Sequence, residues 1–106
     1  MLRSNPTLLR GVAEAFLKDH PGQLAELWDA VKSASAPEIE GIAHRLRGSF
    51  VVLGAHRSIE GARRLEACAR EGRLQDVAAL CASLEREVRR LVDSLAELSE
   101  LRSSDP

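Results

Sequence analysis

Aromatic side chains are almost missing from this chain: it has two Phe, one Trp and no Tyr among 106 residues. A core must then come from Leu, Val, Ile and Ala, which favours close-packed helices over a β-sandwich. Neither sign of charge dominates, since 15 Lys and Arg stand against 16 Asp and Glu. A net charge of −1 carries no electrostatic footprint for nucleic acid. Long hydrophobic runs are absent too. None approaches the roughly 20 residues of a membrane span, and the N-terminus has no signal-peptide pattern, so no membrane contact is expected. Cys68 and Cys81 lie in helical patterns without metal-type spacing. They read as small buried hydrophobes in a reducing compartment, which points to the cytoplasm.

Strand signals are equally scarce, and the four prolines and seven glycines act as punctuation. From about Thr7 to Lys18, Leu8, Leu9, Val12 and Phe16 share one helical face. Asp19-His20-Pro21-Gly22 predicts a break, with Pro21 at the first position of a second helix that runs to about Ala34. That helix buries Leu24, Leu27, Trp28 and Val31. Ser35-Ala36-Pro37 repeats the device, with Ser35 or Ala36 near the cap. The third helix stops at Leu53-Gly54, and the fourth runs from about Ala55 to Glu71 before Gly72. The last, from about Leu74 to Leu98, spaces Val77, Cys81, Leu84, Val88, Leu91, Leu95 and Leu98 by alternating fours and threes, a bundle seam. Short loops imply antiparallel neighbours. The expected fold is all-α, an antiparallel up-and-down four-helix bundle with a short extra N-terminal helix. The domain spans residues 7–99, with flexible termini at 1–6 and 100–106, and the tail from Arg102 to Pro106 reads as disordered.

The third helix carries the functional signal. On a wheel of about 100° per residue, Ile39, Ile42, Leu46, Ser49 and Leu53 lie opposite His44. His44 therefore points away from the core, and on its own face are Glu40, Gly41, Arg47, Gly48 and Val51. Taken alone, that geometry describes a solvated surface histidine. Gly48 changes the picture, because a mid-helix Gly costs about 1 kcal/mol relative to Ala and no core packing explains one that faces outward. It leaves the imidazole open to another protein's surface. Arg47, three residues on, brings a fixed cation within reach of an anion on the ring. Val51 adds an exposed apolar contact. Nothing in the chain suggests a Ser–His–Asp arrangement, a phosphate-binding Gly loop or a dinucleotide fingerprint.

His44-Arg45-Leu46-Arg47-Gly48-Ser49, followed by Leu53-Gly54-Ala55, resembles the signature of the histidine-containing phosphotransfer (HPt) domain. That signature reads His-x-Leu-Lys-Gly-Ser and then Leu-Gly-Ala. Leu65-Glu66 in the next helix resembles the family's Leu-Glu pair, and the similarity of organisation extends from about Leu8 to Leu98. Arg47 replaces the usual Lys, and a bulky Phe50 stands where small residues are common. The resemblance implies a phosphorelay intermediate of two-component signalling. His44 would take a phosphoryl group from a receiver-domain aspartate and pass it to another. It also implies no kinase activity and no cofactor of the domain's own, the Mg²⁺ and the acidic pocket belonging to the partner receiver. The expected partners are response-regulator receivers and a hybrid sensor histidine kinase, and the expected state is a monomer.

Glu66 falls inside the inward stripe of Ile59, Ala62, Leu65 and Ala69, where a carboxylate needs a partner. One reading has it accept a hydrogen bond from His44 Nδ1–H, which leaves Nε2 as the nucleophile. In the other it reaches solvent or pairs with Arg63 or Arg70. His20, before Pro21, and His56, at a helix start, read as surface residues. A competing function is a helical interaction module that self-associates through its last helix, with His44 incidental.

Overall fold

A computed structural model describes residues 6–103 of the chain, and the side chains of residues 7–97. Four helices account for nearly all of it: α1 (Pro6–Lys32), α2 (Ala36–Leu53), α3 (His56–Arg70) and α4 (Leu74–Ser103). There is no strand among the described residues, and none of the helices is long and apolar enough to cross a membrane. Each helix packs on the next in sequence, and α4 closes the bundle against α1.

The expected break at Asp19–Gly22 does not occur. The short N-terminal helix and its successor are one helix, with Pro21 inside it. Proline lacks the N–H that would bond the Leu17 carbonyl, an interior cost of about 3 kcal/mol. Two features offset it. Pro21 and Gly22 are exposed, so solvent can reach the free carbonyl. Phe16, Leu24, Leu27 and Ala30 keep helical spacing across the proline and are all buried in the core. The His20 ring stacks on Phe16 at 5.3 Å, and its Nδ1 lies 3.1 Å from the Phe16 carbonyl. His20 is thus half-buried in packing rather than a free surface residue.

The boundaries of α2 follow its punctuation. Ser35 is the N-cap in extended conformation, without a side-chain cap bond, and Pro37 sits in the first turn. Gly54 ends the helix at φ 69°, in the left-handed region that favours glycine. The amides of Gly54 and Ala55 close on the carbonyls of Val51 and Phe50. The core stripe of α2 is Ile39, Ile42, Ala43, Leu46 and Phe50. Ser49 and Leu53, expected to face inward, are only half-buried. The stripe is therefore rotated by roughly 40° from the expected one. Phe50 drives the rotation: it is fully buried and meets Phe16 edge-to-face at 5.8 Å.

Of the inward residues expected in α3, Ala62, Leu65 and Ala69 are buried and Ile59 only partly so, and Ser58 and Cys68 join them. A Cβ on Gly61 would come within 3.2 Å of Leu84 Cδ1, so α3 and α4 approach closely there. Of the α4 seam, Val77, Cys81, Leu84 and Val88 are buried and Leu91 and Leu95 partly so. The Leu98 side chain lies outside the described residues. Helix α4 covers Arg102 and Ser103, which were expected to be disordered; residues 1–5 and 104–106 lie outside the described backbone.

Candidate functional site

Rotation of the α2 stripe puts His44 between two neighbours. One flank of α2 turns to α1, where Arg45 pairs with Glu26 at 3.4 Å. The other turns to α3, where Glu40 accepts a 2.7 Å bond from Arg70 Nε. On the α3 side, next to Leu65 in sequence, the Glu66 side chain is 95% removed from solvent. It meets two groups of α2. His44 Nδ1 lies 3.1 Å from Oε1, and Arg47 Nε lies 3.0 Å from Oε2. The second contact is an ion pair without a well-directed N–H, since Oε2 has no aligned hydrogen-bond donor. Arg47 also brings an Nη2 amino group to 2.9 Å from His44 Nδ1.

Among the described residues, the imidazole is held only along its Nδ1 edge. Its side chain keeps 65% of its surface exposed, and neither contact of the ring involves Nε2. Gly48 and Gly41 flank it, and a Cβ built on either would meet nothing within 4 Å. Their lack of a side chain answers no internal packing need. Val51 is 55% exposed on the same side. The arrangement is a tethered imidazole with an open nitrogen, a cation beside it and cleared ground around it. Such a ring can take up and surrender a group through Nε2 while its orientation is held from behind.

The family model of the Hpt domain matches residues 11–101. The chain belongs to the Hpt domain family. Histidine phosphotransfer in two-component phosphorelays is the work of that family, whose members carry phosphoryl groups rather than catalyse and interact with response-regulator receiver domains. Neither the curated proteins nor the solved structures gave a match to this chain.

In this Hpt domain the structure brings His44, Arg47 and Glu66 into direct contact. Gly41, Gly48 and Val51 lie on the exposed side. Glu40 departs from the expected group, being half-buried and engaged by Arg70. The alternative partners considered for Glu66 are occupied elsewhere, Arg63 by Glu60 at 3.8 Å and Arg70 by Glu40. Sequence reading did not find that Arg47 touches Nδ1 and Glu66 together. The helical wheel places it near His44 but says nothing of a contact across to α3. Both thiols lie outside the site: burial pushes Cys81 up to about 12, with Glu85 adding to the shift. Cys68 is raised by burial against the opposing pull of Arg73, and it donates to the Arg73 carbonyl at 3.0 Å.

Proposed function

We propose that His44 is the phosphoryl-carrying residue, and that it accepts the group from one receiver aspartate and gives it to another. The observation that carries this reading is the asymmetry of the ring: Nδ1 is tethered to α3 through Glu66, while neither ring contact engages Nε2 and the side chain keeps 65% of its surface exposed. With Nδ1 protonated and bonded to Glu66, Nε2 holds the free lone pair. That lone pair attacks phosphorus, the P–O bond to the receiver carboxylate breaks, and the carboxylate leaves with the electron pair. Phosphoryl transfer asks the carrier for position and charge balance rather than covalent chemistry. Arg47 supplies the cation, and the receiver supplies Mg²⁺ and the acidic pocket. The Hpt domain has no cofactor of its own.

Gly41, Gly48 and Val51 form the ground on which the receiver sits, with Glu40 at its edge. We read the bundle as antiparallel and up-and-down, because links of two or three residues between consecutive helices leave no chain for a parallel return. Receivers, including that of a hybrid sensor kinase, are the partners, and the domain acts as a cytoplasmic monomer. The decisive experiment is phosphorylation of the purified domain by receivers charged with acetyl phosphate. His44→Gln abolishes an acid-labile, alkali-stable label and leaves the helical circular dichroism unchanged. Residual acid-labile label on that variant would move the site to His20 or His56. No label on the parent, with self-association at micromolar concentration, would favour an interaction module instead.

A further inference from the structure

Two groups compete for one nitrogen at this site. Glu66 Oε1 stands 3.1 Å from His44 Nδ1 and Arg47 Nη2 stands 2.9 Å from it. A carboxylate can only accept and a guanidinium can only donate. Nδ1 can serve Glu66 only when it carries a proton and Arg47 only when it does not. The two contacts therefore belong to different protonation states of the same ring. We propose that Arg47 is a positioning residue that sets the lifetime of the phosphoryl group on His44 by competing with Glu66 for Nδ1. This rests on the phosphorylation of His44 at Nε2 proposed above.

Once Nε2 is bonded to phosphorus, the state of Nδ1 decides how readily that bond breaks. With Nδ1 protonated, the leaving group is a neutral imidazole, and water or a carboxylate displaces it readily. With Nδ1 unprotonated, the leaving group is an imidazolide and the bond persists. Glu66 favours the proton by charge and by accepting its hydrogen bond, whereas Arg47 disfavours it by like charge and by donating to the bare lone pair. Several other charged groups of α1, α2 and α3 are paired with one another: Glu40 with Arg70, Arg45 with Glu26, and Arg63 and Arg64 with Glu60. Two features make the competition balanced. Glu66 is 5% exposed and fixed in place. Arg47 is 29% exposed and anchored to the same carboxylate through Nε, so Nη2 is presented to the ring instead of roaming in solvent. Release of that contact, as when a receiver draws the guanidinium towards its own carboxylates, frees Nδ1 to take a proton and primes the phosphoryl group to leave.

The test charges the full chain with phosphoramidate, which loses ammonia as Nε2 takes the phosphoryl group. Hydrolysis of the purified phosphoprotein is then followed from pH 6 to 9. Arg47→Ala shortens the half-life several-fold above pH 7 and carries the acid-labile limb of the profile to higher pH. Glu66→Gln, nearly equal in volume, lengthens the half-life and moves the limb the other way. In the uncharged protein, ¹⁵N shifts of the His44 ring report the same contest, with the Nδ1–H form rising in Arg47→Ala and falling in Glu66→Gln. Half-lives or tautomer populations that move together in the two variants, or do not move, overturn the proposal. Label that persists in His44→Gln would instead overturn the assignment of His44 itself.

Discussion

Gly48 shows what one missing side chain does at the residue scale. Its Cβ position opens to empty space, so Gly48→Ala meets no clash. The change should stabilise α2 by up to about 1 kcal/mol without speeding transfer, read by thermal melting and by uptake from a charged receiver. Gly48→Gln should slow uptake by obstructing the receiver; an unchanged rate would remove Gly48 from the docking ground. Arg47 is the residue whose charge and shape can be separated. Arg47→Ala should slow uptake about tenfold or more, as expected for one well-placed cation. Arg47→Lys keeps the charge and should retain most of the uptake rate. A single ammonium cannot reproduce the Nε and Nη2 contacts together, so uptake and phosphohistidine lifetime should part company in that variant.

At the scale of the element, α1 is the instructive case. Its proline is tolerated because core residues on both sides hold one stripe, so the helix is continuous through tertiary packing and in spite of its local sequence. Pro21→Ala restores the donor to the Leu17 carbonyl and should raise stability by about 1–3 kcal/mol. Urea unfolding measures this, and a loss of stability would mean that the proline ring itself packs usefully. Helix α2 teaches a different lesson. A wheel drawn from sequence treats all apolar residues alike, yet one Phe outweighs a Ser and a terminal Leu in choosing which side turns inward. The resulting rotation of about 40° brings Arg47 and Glu40 to α3 while His44 stays outside.

For the whole molecule, the buried thiols link the fold to pH. Cys81 in the folded protein is raised from 9.0 to about 12. Between those values the unfolded chain releases a proton that the folded one keeps. The unfolded state then binds fewer protons, so stability falls as pH rises from about 9 towards 12. Cys81→Ala should show a shallower alkaline loss in denaturant melts, by as much as one proton's dependence. Equal slopes for parent and variant would show that the thiol ionises without unfolding. Both cysteines should also resist alkylation in the native state, because burial raises each thiol and reactivity belongs to the thiolate.

The helical class, the bundle seam and the outward aim of His44 were determined by the sequence alone. Each depends on periodicity or on punctuation such as Gly54, and these act over a few residues. The signature around His44 and Gly48 was legible for the same reason, since its members lie along one helix and its C-terminal cap. Tertiary structure decided what depends on residues far apart in the chain. Phe16 and Leu24 carry α1 through Pro21 because both enter a core closed by other helices. Phe50 turns α2 because Phe16, thirty-four positions earlier, is there to meet it. The inward stripe of α3 left Glu66 with several possible partners. Packing of α3 on α2 chose His44 and Arg47, and in doing so it set a donor and an acceptor against the same nitrogen.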